Sequence, residues 1–118
     1  MIYSLNAPMF DFLVLSVLSR QDAYGYQISQ TVKKVSNSRD STLYPVLRRL
    51  LENGWAEAYD QPFQGRNRRY YHITEAGRQH QRELQKEWDW FQNAIREIVS
   101  GTEDKDIENG GERNGEQS

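Results

Sequence analysis

Eight cationic side chains, Lys33, Lys34, Arg39, Arg48, Arg49, Arg66, Arg68 and Arg69, fall between positions 33 and 69 and make up eight of the thirteen Lys and Arg in residues 1–102. Clustered on one surface, such groups neutralise phosphates, and each neutralised phosphate releases counterions, which drives nucleic-acid binding. The competing reading is a solvated helix face for Arg48 and Arg49, since Lys and Arg are ordinary surface helix formers, and a polar loop for Gln64 to Arg68. Other chemistries find less material. His72 and His80 are the only histidines and there is no cysteine, a poor set for metal ligation. Gly110-Gly111 lacks the flanking strand and helix of a phosphate loop, and no nucleophile, base and acid can be grouped from the order of residues alone. The expectation is neither an enzyme nor a cofactor or metal protein.

The whole-chain net charge of −2 is an average over two unlike parts. Glu103 to Ser118 holds six acids against Lys105 and Arg113, a balance of −4, and is expected to be disordered. The preceding 102 residues carry +2, so the body is mildly basic. With 36% hydrophobic residues in 118, the material suffices for one core and an appendage. The absence of cysteine excludes a disulfide-stapled scaffold. The longest apolar run, Phe12 to Leu15, is far short of the roughly 20 residues of a membrane span. No cation precedes it and no small-residue cleavage site follows. The expectations are no membrane partner, no secretory leader and a cytoplasmic protein.

Periodicity supplies the elements that position the cations. Phe10, Leu13, Val14, Val17 and Leu18 recur at helical spacing after Pro8, giving a first helix. A second carries Tyr24, Ile28, Val32 and Val35 on one face, with Asp22 as candidate N-cap and Lys33-Lys34 at its end. Ser36 to Asp40 is a turn; Ser41 or Thr42 then opens a third helix with Leu43, Val46, Leu47, Leu50 and Leu51 inward, Pro45 near its first turn and Asn53-Gly54 closing it. Trp55–Tyr59 and Arg68–Ile73 alternate with period two, and Asp60 to Asn67 between them reads as the long tip of a hairpin. From the N-cap Thr74 to Gly101 the chain reads as one helix with the seam Leu84, Trp88, Phe91, Ile95, Ile98.

Three helices followed by a hairpin are the element order of a winged helix-turn-helix. The fold class expected is therefore mainly α with a small β-hairpin, comprising a winged helix-turn-helix DNA-binding domain over 1–73, a C-terminal dimerisation helix over 74–101 and an acidic tail over 102–118. The third helix is the candidate reader of the major groove, because Thr42, Tyr44 and Arg48 share a face distinct from that of the leucines. The last helix, at about 39 Å, outruns a globule about 30 Å across. Its seam calls for a second copy, which would form a twofold dimer whose reading helices meet half-sites about 34 Å apart. Phe10 is counted with the seam as a dimerisation residue.

Tyr24-Gly25-Tyr26, Thr42-Leu43-Tyr44-Pro45-Val46-Leu47-Arg48-Arg49-Leu50, Asn53-Gly54 and Arg69-Tyr70-Tyr71-His72-Ile73-Thr74-Glu75-Ala76-Gly77 closely resemble the PadR family of bacterial transcriptional regulators, over about Met9 to Val99. The single last helix is similar to that of the family's small subfamily. The resemblance implies a homodimeric repressor of a double-stranded DNA operator, commonly released by a small aromatic or hydrophobic effector. It maps DNA contacts onto Tyr24, Thr42, Tyr44, Pro45, Arg48 and the wing residues Gly65, Arg66, Asn67 and Arg68. Ser41 stands where the family often has glycine. Drug-sensing small members carry a tryptophan at the place of Trp88, which implies an effector pocket of Leu5, Asp11, Phe12, Trp88 and Gln92.

From the residues alone, Trp88 on the seam is equally a packing residue across a dimer, and Asp11 either a solvated acid or a partner for a cationic ligand. A winged-helix module that meets a protein instead of DNA is the alternative to the DNA-binding regulator.

Overall fold

The computed structural model describes residues 3–37 and 39–102. The elements run α1 (Ala7–Arg20), β1 (Ala23–Tyr24), α2 (Gly25–Val32), α3 (Asp40–Glu52), β2 (Ala56–Phe63), β3 (Arg66–Ile73) and α4 (Glu75–Ser100). The acidic stretch from Glu103 onward lies outside the described residues. The chain divides into two compact units, Met1–Leu84 and Gln85–Ser118, so that α4 belongs to both.

Caps explain most boundaries. The Asn6 side chain accepts the amide N–H of Met9 at 3.1 Å and starts α1, with Pro8 in the first turn, where a missing N–H leaves no bond unmade. At the end of α3 the Trp55 N–H donates to the Leu50 carbonyl (2.9 Å) and the Gly54 N–H to that of Leu51 (3.1 Å), the paired bonds of a Schellman motif. Thr74 Oγ1 accepts the Gly77 N–H (3.0 Å) and donates to the Gly54 carbonyl (2.6 Å), so the cap of α4 is also tied to the end of α3. Gly77 has no alternative: a Cβ there would stand 2.0 Å from the Trp55 carbonyl oxygen.

The core of the first unit takes Val14, Leu15 and Leu18 from α1, Ile28 and Val32 from α2, Leu43, Val46, Leu47 and Leu50 from α3, and Ala23, Ala56, Tyr71 and Ile73 from the sheet. Leu15 joins this set although it lies outside the expected apolar face of the first helix. Phe10, at 8% exposure, is packed into the same core, and Leu84 leans on it. Both had been expected on a dimer seam. Phe10 instead precedes Val14 by one turn and shares its inward face, so its own domain covers it.

Four local expectations are corrected. Tyr24, not Asp22, is the N-cap of α2, its N–H bonded to Gln27 Oε1 at 3.1 Å. The helix stops at Val32, leaving Val35 49% exposed. α3 starts at Asp40, which places Pro45 inside the helix, a turn beyond the start; its missing N–H deprives the exposed Ser41 carbonyl of a partner. The expected long tip of the hairpin is strand. β2 and β3 pair continuously from Ala56↔Ile73 to Phe63↔Arg66, and only Gln64-Gly65 turn. Both turn residues have positive φ, 51° and 79°, the signature of a type I′ turn, whose twist matches that of the strands. Sheet order is β1-β3-β2, so Pro62 lies on an edge strand, where a residue without an N–H is tolerated.

Candidate nucleic-acid interface

The faces of α3 separate cleanly. Leu43, Val46, Leu47 and Leu50 are buried, while Thr42, Tyr44, Pro45 and Arg48 are exposed, Tyr44 at 66%. Four residues named from the sequence thus share one solvent face of the helix. Tyr26 of α2, 61% exposed and not among those residues, borders with Tyr44 a cleft between α2 and α3. Its signal was the second tyrosine of Tyr24-Gly25-Tyr26, midway between the stripe residues Tyr24 and Ile28 and so on the opposite side of the helix. Arg39, the N-cap of α3, and Lys33 and Lys34, just beyond α2, are exposed.

Arg49 departs from that set. Its guanidinium turns inward, with Nη2 2.5 Å from Asp11 Oδ1 and Nε 3.3 Å from Asp11 Oδ2. Asp11 is only 7% exposed, and this two-point pair meets the requirement that a buried charge be partnered. The pair joins α1 to α3 and holds α3 against the body. Asp11 is therefore neither a solvated acid nor an open ligand for a cation.

Alternation gives the hairpin two faces. One carries Ala56, Tyr71 and Ile73 into the core; the other carries Tyr59, Gln61 and Phe63 opposite Tyr70, Arg68 and Arg66. On this outer face the Tyr59 and Tyr70 rings stack at 5.7 Å, and Tyr24 meets Tyr70 edge-on at 5.5 Å. The Arg68 guanidinium lies 3.9 Å from the Tyr24 ring centre and 3.4 Å from that of Phe63. Arg68 is half-buried by these rings, whereas Gly65, Arg66 and Asn67 are exposed at the tip. Arg69, on the other face, stands 5.8 Å from the Tyr71 ring. Phe63 went unnoticed in the sequence because Pro62 and Gly65 beside it read as turn material.

At the base of the hairpin the Tyr59 hydroxyl donates to Asp22 Oδ2 at 2.6 Å, and His72 Nδ1 sits 2.9 Å from Asp22 Oδ1. The Tyr59 hydrogen bond, followed by the hydrogen bond and charge of His72, holds the Asp22 carboxyl below its usual 3.8 against the opposing effect of burial. The same carboxylate keeps the Tyr59 phenol above its usual 10.0. Asp22 thus fastens the start of β1 to both strands of the hairpin.

The five residues implied for an effector divide between the units. Leu5 and Phe12 are half-buried and Asp11 is paired, all in the first. In the second, Trp88 is half-buried, its ring 6.1 Å from that of Phe91, and Gln92 is exposed. The seam residues Phe91, Ile95 and Ile98 are exposed, as are Trp90 and Val99. No helix among the described residues is long and apolar enough to cross a membrane.

The fold has known counterparts. The chain is 42% identical to a protein of Streptococcus mutans UA159 of known crystal structure, with a TM-score of 0.82 over 86% of this chain and 96% of that one. It is 26% identical to a PadR family transcription regulator from Clostridium difficile R20291, TM-score 0.70, over 76% of this chain and 97% of that one. An uncharacterised protein of Lysinibacillus sphaericus is 35% identical over 98 residues, which is 79% of this chain and 90% of the relative. The family described as the transcriptional regulator PadR-like family matches residues 14–83, from within α1 through the hairpin into α4. The chain belongs to this PadR-like family of transcriptional regulators, DNA-binding proteins and not enzymes.

Proposed function

We propose that the chain is a homodimeric repressor that reads its operator with the outer face of α3 and the hairpin wing, and that a small aromatic or hydrophobic effector relieves this binding. The observation that carries the reading is the exposed set Thr42, Tyr44 and Arg48 on a helix whose opposite face is buried, beside exposed Arg66 and Asn67 at a hairpin tip. Thr42 and Tyr44, near the helix N-terminus, meet base edges; Arg48, Lys33, Lys34, Arg39 and Arg66 meet phosphates. Arg49, held by Asp11, stays out of the contact set. Repression follows from occupancy, because an operator overlapping a promoter excludes polymerase when the dimer is bound.

Dimerisation is read from Phe91, Ile95 and Ile98, exposed apolar residues at heptad-like spacing. The effector reading rests on Trp88 and its neighbour Phe91, with Gln92 beside them as a polar group, and on the resemblance to drug-sensing members.

The test is titration of duplex DNA at several salt concentrations. Arg48→Ala and Arg66→Ala are each expected to weaken binding and to reduce the log–log salt slope by about 0.9, with the dimer intact. A slope near zero in the wild type would assign the surface to a protein partner instead. Phe91→Asp is expected to yield a monomer by sedimentation and to lose operator binding with it; a monomer that binds as tightly as the wild type would overturn the dimeric reading. Planar aromatic compounds should quench tryptophan emission and release DNA, and unchanged emission across a panel would remove the effector from the account.

A further inference from the structure

The two long strands outrun their neighbour. β1 pairs with β3 only at Ala23↔Tyr71 and Tyr24↔Tyr70, while β2 and β3 continue for four register pairs beyond Tyr59↔Tyr70, to Phe63↔Arg66 at the tip. A two-stranded overhang beyond the third strand has little of its own to hold it, since an isolated hairpin is marginal in water. Arg68 stands in that overhang, and its guanidinium is stacked between rings from two other elements: Tyr24, the N-cap of α2, at 3.9 Å and Phe63, the last residue of β2, at 3.4 Å, with the Tyr70 ring 5.9 Å away. Of the arginines near the tip, Arg68 alone is half-buried, Arg66 and Arg69 being exposed.

We propose that Arg68 is a positioning residue that tethers the wing to the start of α2 by stacking, and not one of the phosphate contacts. The inference rests on the reading that the wing lies against DNA. With the Tyr24 and Phe63 rings packed against its guanidinium, Arg68 sets the angle between hairpin and helix-turn-helix, and so where the tip residues Gly65, Arg66 and Asn67 fall. The planar, delocalised guanidinium fills a slot between two rings as an ammonium on a flexible stem does not. Asp22, bonded to Tyr59 and His72, fixes the base of the hairpin; Arg68 fixes its outer half.

A labelled duplex selected in vitro against the wild-type protein serves as the probe. Arg68→Ala is expected to weaken binding about five- to tenfold, the worth of two stacked contacts, with the salt slope unchanged. Arg68→Lys should be nearly as weak, and Phe63→Ala should lose a similar factor. The double variant Arg68→Ala/Phe63→Ala should be no worse than Arg68→Ala alone, because Phe63 acts through Arg68. A slope reduced by about 0.9 in Arg68→Ala, or recovery of affinity in Arg68→Lys, would make Arg68 a phosphate contact and overturn the proposal. Arg66→Ala is the control for the underlying reading: if it leaves affinity and slope alone, the wing does not meet DNA. The tether is then decided in the free protein, where Arg68→Ala should move the Phe63 and Tyr24 ring resonances and lower the heteronuclear NOE at Gly65; unchanged signals would overturn it.

Discussion

The first unit and the outer part of α4 are written with the same apolar period and end in opposite states. In Met1–Leu84 the stripes of α1, α2 and α3 close on one another and on the sheet, leaving Val14, Leu15, Ile28 and Leu50 without exposure. In Gln85–Ser100 the stripe continues through Phe91, Ile95 and Ile98, and these stay exposed, Ile98 at 64%. A periodic stripe therefore reports that a helix offers a face, and says nothing about which chain covers it. The proposed dimer supplies the cover for the second stripe, which makes its energetics depend on concentration, whereas those of the first do not.

The largest expected effect breaks the comparison open at its two ends. Leu50→Ala removes a side chain with no exposure from the centre of the first core and is expected to cost about 2–5 kcal/mol, the transfer of the lost atoms plus the cavity left behind. Ile98→Ala, a truncation of similar size, should cost within about 0.5 kcal/mol in dilute solution, as for exposed sites generally. Its cost should grow as protein concentration rises and the dimer forms. Urea denaturation of both variants at two concentrations checks this. An Ile98→Ala cost that is large and independent of concentration would mean that its own chain covers the residue.

A smaller effect sharpens what holds the hairpin to the first unit. Because the Asp22 carboxyl titrates below its usual 3.8 in the folded protein, its contribution is complete above that value and is lost as pH falls through the lowered one. Asp22 is partly solvated, so the contribution is at most about 1 kcal/mol. Asp22→Asn should lower stability by that order at pH 7 and flatten the decline of the wild type toward acid. A variant that keeps the full acid decline would show that other carboxylates govern it.

What the sequence disclosed follows from the range of the interactions involved. The caps and length of α4 were legible because Thr74, Glu75 and Gly101 act locally and the period repeats over many turns. The outward set on α3 was legible for the same reason. The two-residue β1 is too short to carry a period, and its partner is β3, far along the chain. Asp22 looked like a helix cap because caps are local, while its true partners Tyr59 and His72 are 37 and 50 residues away. Arg49 looked like Arg48 until Asp11, 38 residues distant, set the two apart. Asp60 to Asn67 read as a loop from its Pro, Gly and Asn, residues that an edge strand and a tight turn also accommodate.

The turn itself supplies the smallest effect and corrects a simple reading of exposure. Gln64 and Ile98 are both exposed, yet Gln64 is fixed by its backbone, at a φ of 51° where β-branched residues fit poorly. Asparagine enters the left-handed region more readily than other non-glycine residues, and Asn-Gly is a favoured pair for a type I′ turn. Gln64→Asn is therefore expected to stabilise the first unit by about 0.5 kcal/mol, with the urea midpoint raised and the slope m unchanged. Gln64→Val should shift the midpoint the other way. Neither effect should vary with protein concentration, in contrast to that of Ile98→Ala, because the strain resides within one hairpin. Equal midpoints for the Asn and Val variants would mean that the turn relaxes out of its left-handed geometry, and that exposure alone governs tolerance at the wing tip as it does on the outer turns of α4.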